Sequence, residues 1–154
     1  LHRLIRRQRQ MCIRDSPGGV LQGVRILGPV RKKSQVELSR TDCFTLGLKD
    51  VPVRDSGDLD NTPGITVCGP RGAVVLKEGV IVAKRHIHIT PSLAQKYNLK
   101  DKQLVRVKVE GERGLVFEEV LVRVGEEYAL DFHIDFDEAN ACGFTPGMQG
   151  KILR

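Results

Sequence analysis

The chain has 154 residues, of which 40% are apolar and 29% are charged, and it contains no Trp. These values are typical of a soluble globular protein with one domain or two very small ones. Sixteen Gly and seven Pro interrupt the chain too often for a helical bundle. The same interruptions exclude a coiled coil. No apolar run approaches the roughly 20 residues that span a bilayer, so a membrane-spanning protein is excluded and we expect no membrane partner.

The net charge of +6 is unevenly distributed along the chain. Residues 1–16 hold five Arg and one Asp, a net +4, whereas the other 138 residues hold 20 basic and 18 acidic side chains, a net +2. A net +2 over 138 residues is not the electrostatic footprint of a nucleic-acid-binding protein. We therefore expect no nucleic-acid partner.

Residues 1–16 differ in composition from everything that follows. They lack an initiating Met and show no period that would bury one face, whereas a β-patterned chain starts at Pro17. The stretch RQRQMCIRDS resembles translated sequencing-adapter DNA, and an Arg-rich transit peptide is a weaker alternative. We expect residues 1–16 to be foreign and disordered, with the native N-terminal segment missing.

The four cysteines show no CxxC spacing, and the start of the chain has no apolar stretch of the kind found in secretory signals. We therefore expect no disulfide framework and a reducing, cytoplasmic setting.

Eight β-branched-rich runs, separated by Gly-containing turns, predict short strands. They are Val20–Leu27, Gln35–Ser39, Gly64–Cys68, Ala73–Lys77, Val80–Ile89, Gln103–Val109, Leu115–Val124 and Tyr128–Ile134. Only two stretches predict helices: Pro91–Leu99, with Thr90 as N-cap, and Asp137–Cys142, followed by Gly143 as C-cap. A mainly β protein with short helices is expected.

The two predicted helices belong to an internal repeat with an offset of 45 residues. The segment from His88 to Ala94 aligns with that from His133 to Ala139, and each unit reads strand, helix, turn, strand. Interlocked strand–helix–strand units can close a small barrel with pseudo-twofold symmetry. We expect one small β-barrel, built from the repeat, at residues 85–154 and another at residues 17–84.

Three histidines in the second predicted barrel suggest a metal site. His86 and His88 are two residues apart in a predicted strand, so their imidazoles share one face. The repeat places His133 at the position equivalent to His88, where the strand ends are expected to meet. Three imidazoles suit Zn²⁺ and leave positions for water or substrate. Alternatively, the His-x-His pair simply lines a solvated sheet face.

In the first predicted barrel, the segment GPVRKKSQVE places Arg31 and two Lys in a turn before a strand that carries Glu37. Clustered cations beside backbone amides suit phosphate, with Arg31 as the better bidentate partner. Glu37 would need a cation or a metal if it faced a cavity. The alternative is a solvated turn and a solvent-facing Glu. The long polar segment 54–64 is either a loop that closes over a ligand or an ordinary surface loop.

Several ordered motifs resemble the PduL-type phosphate acyltransferases, also called phosphate propanoyltransferases, of bacterial microcompartments and their cytosolic relatives. The matching stretches are ILGPVRKKSQVELSRTD, PVRDSGDL, LKEGVIVAKRHIHITP, VEGERGLVFEEVLVRV and HIDFDEANACGF. They are spread from about Gly23 to Leu153, which makes the resemblance more specific than any single motif.

The resemblance implies two small β-barrels capped by short helices, with the first barrel incomplete because its N-terminal strand is missing, and two metal ions, usually zinc. One ion would be held by His86, His88 and His133, the other by Glu37 and an upstream His-x-His pair that this sequence lacks, and Arg31 would bind phosphate as the catalytic residue. The implied reaction converts a short-chain acyl-CoA, such as propanoyl-CoA, and phosphate into acyl phosphate and CoA. The implied setting is the cytoplasm or a microcompartment used in propanediol degradation, with the shell or a second copy as a partner.

Two functions from other classes compete with this enzyme. A non-catalytic β-barrel binding module would use the three histidines only as a structural metal site. A basic nucleic-acid-binding barrel would depend on the arginines of residues 1–16. Turnover of acyl-CoA with phosphate separates the enzyme from the module, and salt-sensitive binding of DNA or RNA by residues 17–154 would support the third function.

Overall fold

The structure is a computed structural model that describes residues 11–14, 18–28 and 30–153. The chain divides into two compact units, the first ending at Ala83 and the second beginning at Lys84. The predicted boundary lies between residues 84 and 85. Strands predominate and the helices are short, which confirms the predicted mainly β class. The segment predicted to be foreign lies outside the described residues except for Met11–Arg14, which form a strand.

The described residues of the first unit form two sheets and one helix. Its elements are β1 (Met11–Arg14), β2 (Val20–Val24), β3 (Val36–Glu37), α1 (Arg40–Leu46), β4 (Val53–Arg54), β5 (Ile65–Gly69), β6 (Gly72–Leu76) and β7 (Val80–Ala83). One sheet has the strand order β2-β1-β5-β6, and the other is a parallel sheet with the order β3-β7-β4. Strand β7 is central and its first three residues are fully covered, as expected for a strand between two parallel neighbours.

The second unit contains one five-stranded sheet and two helices. Its elements are β8 (His86–Ile89), α2 (Pro91–Lys96), β9 (Leu104–Val109), β10 (Leu115–Val124), β11 (Asp131–His133), α3 (Phe136–Cys142) and β12 (Gly150–Leu153). The strand order is β11-β8-β10-β9-β12. The alternating burial of β8 and β9 shows that one face of this sheet carries the core, against which Ala94 of α2 and Cys142 of α3 pack.

The internal repeat is confirmed by the local structure and by the register of the strands. Thr90 and Asp135, which are 45 residues apart, cap helices α2 and α3. In the β8–β11 pair, Ile87 faces Phe132, and in the β9–β12 pair, Val107 faces Ile152. Each of these pairs spans the same 45-residue offset, so a pseudo-twofold axis passes through both.

Two sequence predictions were wrong within the described residues. The predicted strand Val80–Ile89 is two strands, β7 and β8, which belong to different sheets and separate at Lys84 and Arg85. Helix α1 was not predicted at all. It begins after the N-cap Ser39, which exchanges hydrogen bonds with Asp42, and it ends at Gly47 in the left-handed conformation.

Other short strands also differ from the predicted ones. Strands β1, β4 and β12 were not predicted, β2 stops at Val24, β3 contains only Val36 and Glu37, and β11 starts only at Asp131. None of the three helices, as far as the chain is described, has the length or apolar character needed to cross a bilayer.

Candidate functional site

The structure brings the three predicted histidines of the second unit together. His86 and His88 lie two residues apart on β8, and His133 of β11 is the register partner of His86. The rings of His86 and His133 stack with their centroids 4.9 Å apart. One ring nitrogen from each of the three histidines lies within 4.8 Å of those from the other two. We call His86, His88 and His133 the histidine cluster.

His86 is oriented by the backbone of Lys84, two residues before it in the chain. Its Nδ1 lies 2.9 Å from the carbonyl oxygen of Lys84. A carbonyl oxygen only accepts hydrogen bonds, so Nδ1 carries the proton and Nε2 carries the lone pair. This is the arrangement in which metal-binding histidines are usually held, because the hydrogen bond fixes both the tautomer and the direction of the ring.

His88 is the member of the histidine cluster with a buried ring nitrogen and a lowered pKa. Its Nε2 is buried and has no hydrogen-bond partner among the described residues. Burial lowers the pKa of His88 from 6.5 to about 4, with further lowering by the charges of His133, His86 and Arg123 and a smaller opposing effect of Asp131. His88 is therefore neutral at pH 7, and its buried Nε2 carries either a lone pair or a proton.

Tyr128 is a neighbour of the histidine cluster that the sequence did not reveal. Its ring lies parallel to that of His88, with the centroids 4.0 Å apart and an interplanar angle of 6°. Tyr128 precedes β11 and is five residues from His133, so strand alternation does not place both on one face. The composition did not single out Tyr128 either, because a Tyr is common in any small domain.

The donor set fits a divalent metal ion. Three imidazole nitrogens from two paired strands can bind Zn²⁺ and leave a coordination position for another ligand. The unpartnered Nε2 of His88 is the kind of buried polar atom that a bound ion would satisfy. Within the described parts of the chain, this is the one group of three or more His, Cys, Asp or Glu side chains close enough to hold an ion.

In the first unit, Glu37 contacts the long polar loop that follows β4. Its Oε1 accepts hydrogen bonds from Nε2 of Gln35, at 2.5 Å, and from Oγ of Ser56, at 3.1 Å. The backbone N–H of Gly57 donates to Oε1 of Gln35 at 2.7 Å. The loop is thus fastened to the residues around β3, and Gln35 and Ser56 are further polar neighbours of Glu37 that sequence reasoning missed.

Arg31 lies in the exposed loop between β2 and β3. The structure gives its guanidinium group no hydrogen bond or ion pair with any other described residue. Its neighbour Lys33, by contrast, forms ion pairs with Glu78 and Asp60 at 3.2 and 3.7 Å. Arg31 and Glu37 belong to the first unit, and the histidine cluster belongs to the second. Their predicted roles toward phosphate and metals stay predictions.

Comparison with known proteins gives one consistent family. A model of the phosphate propanoyltransferase family matches residues 8–145, a range that begins inside the segment 1–16. The chain is 57% identical over 132 residues to a phosphate propanoyltransferase of Thermotoga maritima, covering 85% of this chain and 62% of the relative. It is 51% identical over 138 residues to those of Listeria monocytogenes and Enterococcus faecalis, covering 90% of this chain and 64% and 65% of the relatives.

The range matched by the family model extends across both units and contains the positions of the histidine cluster, Arg31 and Glu37. The chain spans less than two thirds of the length of these curated relatives. The family assignment depends on most of this chain, because the matched range leaves out only the first seven and the last nine of its 154 residues. The chain belongs to the phosphate propanoyltransferase family of acyltransferases.

Proposed function

We propose that the protein converts a short-chain acyl-CoA, such as propanoyl-CoA, and inorganic phosphate into acyl phosphate and CoA. The observation that carries the proposal is the histidine cluster, with one buried and unpartnered nitrogen, in a chain of this family. A metal-stabilised binding module would also need such a cluster. It would not need a phosphate site, so the predicted role of Arg31 distinguishes the two functions.

In the proposed reaction, an oxygen of phosphate attacks the carbonyl carbon of the thioester. The new C–O bond forms as the C–S bond breaks, and CoA leaves as a thiolate that takes up a proton from solvent. A thioester is an activated acyl donor, so the protein contributes mainly by aligning the two substrates, which can lower a barrier by several kcal/mol.

Arg31 is the residue proposed to hold the attacking phosphate. Its planar guanidinium can donate two parallel hydrogen bonds to phosphate, which fixes the direction of the nucleophilic oxygen. Arg31 is exposed, so its donors can reach a ligand in solvent. Glu37 is proposed, from the family resemblance, as a ligand of a second metal, with Gln35 and Ser56 holding its carboxylate.

His86, His88 and His133 are proposed to hold one divalent metal ion, with zinc as the ion that suits them best. Such an ion supplies Lewis acidity toward a thioester carbonyl or a leaving thiolate. The Lys84 carbonyl keeps the proton of His86 on Nδ1, so that Nε2 can bind the ion. A cytoplasmic setting, inside a bacterial microcompartment for propanediol degradation or outside one, belongs to the same proposal, with the shell or a second copy as partner.

Release of CoA in the presence and absence of phosphate tests the proposed function. The purified protein is incubated with propanoyl-CoA, free thiol is followed by its reaction with a disulfide dye, and acyl phosphate is trapped with hydroxylamine. We expect thiol and acyl phosphate to appear in equal amounts and only when phosphate is present. Thiol release without phosphate would indicate a thioesterase, and the absence of any release would support the binding module. Full activity after complete metal removal would contradict the metal-assisted reaction.

A further inference from the structure

His86 and His88 are two predicted ligands of the same ion, but the structure holds their rings in different ways. His86 has a hydrogen bond from Nδ1 to the carbonyl oxygen of Lys84. His88 has no such hydrogen bond among the described residues, and its buried Nε2 is unpartnered. A histidine that binds metal normally needs a partner that fixes its ring, because an unconstrained ring loses rotational freedom on binding.

The ring of Tyr128 supplies that constraint by stacking. At a centroid separation of 4.0 Å and an interplanar angle of 6°, it covers one face of the His88 imidazole. The rings of His86 and His133 are tilted by 51° and 55° to His88, with centroids at 4.7 and 4.4 Å. His88 is thus held between a parallel phenol ring and two tilted imidazoles, which restricts rotation about its side-chain bonds.

Tyr128 is itself held by a tight turn that follows β10. The N–H of Gly125 donates to the carbonyl oxygen of Ile89, the residue after His88, and the N–H of Tyr128 donates to the carbonyl oxygen of Gly125. A Cβ atom at Gly125 would lie only 2.8 Å from Cε2 of the Tyr128 ring. Since Gly125 is not among the glycines with positive φ, the reason for glycine here is the space that the Tyr128 ring occupies.

We propose that Tyr128 is a positioning residue that orients His88 for metal binding by ring stacking, and that Gly125 is required because its missing side chain makes room for the Tyr128 ring. The inference rests on the proposed metal centre. It concerns the ring of Tyr128 and not its hydroxyl, for which the structure gives no hydrogen bond with another described residue. Tyr128→Phe should therefore keep the His88 ring oriented, whereas substitution of Tyr128 by an aliphatic residue should not.

The test compares the affinity of metal-depleted protein for Zn²⁺, measured by competition with a chromophoric chelator. We expect Tyr128→Phe to bind within about twofold of wild type, and Tyr128→Leu and Gly125→Ala to bind about 10–100-fold more weakly, the cost typical of losing a group that orients a metal ligand. Tyr97→Leu is the matched control, because Tyr97 is the only other Tyr and lies at the end of α2.

Two spectroscopic readouts separate positioning from general destabilisation. In the Co²⁺-loaded protein, the visible ligand-field spectrum should change in Tyr128→Leu and Gly125→Ala but not in Tyr128→Phe or Tyr97→Leu. In the metal-free protein, the ring-proton resonances of His88 should lose the ring-current shift caused by Tyr128 only in Tyr128→Leu and Gly125→Ala.

The outcomes distinguish failure of this inference from failure of the proposed metal centre. Wild-type affinity and an unchanged Co²⁺ spectrum in Tyr128→Leu would overturn the positioning role of Tyr128 and leave the metal centre intact. Gly125→Ala keeps the Tyr side chain and gives the same test if Tyr128→Leu does not fold. A wild-type protein that binds neither Zn²⁺ nor Co²⁺ would remove the metal centre, and the inference with it.

Discussion

His86 and His133 face each other across the β8–β11 pair, and their rings stack 4.9 Å apart at an angle of 11°. Two residues 47 positions apart in the chain thus become direct neighbours through the register of two short strands. If they share a metal ion, then His133→Ala removes a ligand of that ion. It should therefore reduce Zn²⁺ affinity by more than the 10–100-fold typical of losing a residue that only orients a ligand. Metal content after dialysis and chelator competition measure this loss.

The control for the His133 experiment is Cys142→Ala. Cys142 is buried in the same unit, belongs to its core and is not a member of the histidine cluster. Its removal should lower stability, because a buried side chain is shortened, but should leave Zn²⁺ affinity unchanged. Equal metal binding by His133→Ala and wild type would show that the cluster does not hold the ion.

The histidine cluster was predictable from the sequence because a short repeat fixed it. The 45-residue offset makes His88 and His133 equivalent, and strand alternation adds His86 to the same face. Tyr128 was not predictable, because its position depends on how the turn from Gly125 folds back over His88. Gln35 and Ser56 were missed for a similar reason, since the contact of Ser56 with Glu37 spans 19 residues.

His88 also makes a specific prediction about the stability of the metal-free protein. Burial lowers its pKa from 6.5 to about 4, so the unfolded state binds more protons than the folded state between these two values. The contribution of His88 is therefore fully present above about pH 6.5 and is lost as the pH falls toward 4. The loss should be no more than about 2 kcal/mol, since water reaches part of the ring.

Urea denaturation in the presence of a chelator, at intervals from pH 7 to pH 4, measures this effect. His88→Gln removes the titrating group, so the difference in unfolding free energy between variant and wild type should change across this range. Carboxylates titrate in both proteins and cancel in that difference. A difference that is constant with pH would contradict the lowered pKa of His88.

The sequence failed to predict elements of two kinds: a helix too short to show a clear pattern, and a pair of strands with different burial patterns joined in one apolar run. Helix α1 has only seven residues, and its signal is the pair Ser39 and Asp42 with Gly47 at the end. The apolar run that contains β7 and β8 hides a change of period, because β7 is covered on both faces whereas β8 alternates. That change occurs at Lys84 and Arg85, where the two strands separate.

The proposed phosphate site predicts a selective effect of Arg31→Lys. Lys keeps the charge but cannot donate two parallel hydrogen bonds, so the KM for phosphate should rise about tenfold while the KM for acyl-CoA changes little. The phosphate-dependent release of CoA provides the measurement. Arg25→Lys, which changes another exposed Arg of the same loop, should leave both values unchanged. An unaltered KM for phosphate in Arg31→Lys would place phosphate elsewhere.

Gly64 predicts a large stability effect in the first unit, because the backbone of a neighbouring strand leaves no room for a side chain there. A Cβ atom at this position would overlap the carbonyl oxygen of Leu76 and lie 2.7 Å from that of Lys77. Backbone atoms of a paired strand cannot rotate away, so the β5–β6 pair would have to shift. Gly64→Ala should therefore lower the free energy of unfolding by about 1–3 kcal/mol, the range typical of overpacking.

Gly69→Ala is the matched control for Gly64→Ala, because Gly69 is the last residue of β5, the strand that Gly64 precedes, has no positive φ and would place its Cβ in open space. We expect Gly69→Ala to change the unfolding free energy by less than about 0.5 kcal/mol, as at other unconstrained surface positions. Urea denaturation of both variants gives the comparison. Equal stability of the two variants would show that β5 and β6 do not pair in the register that joins Ile65 to Leu76.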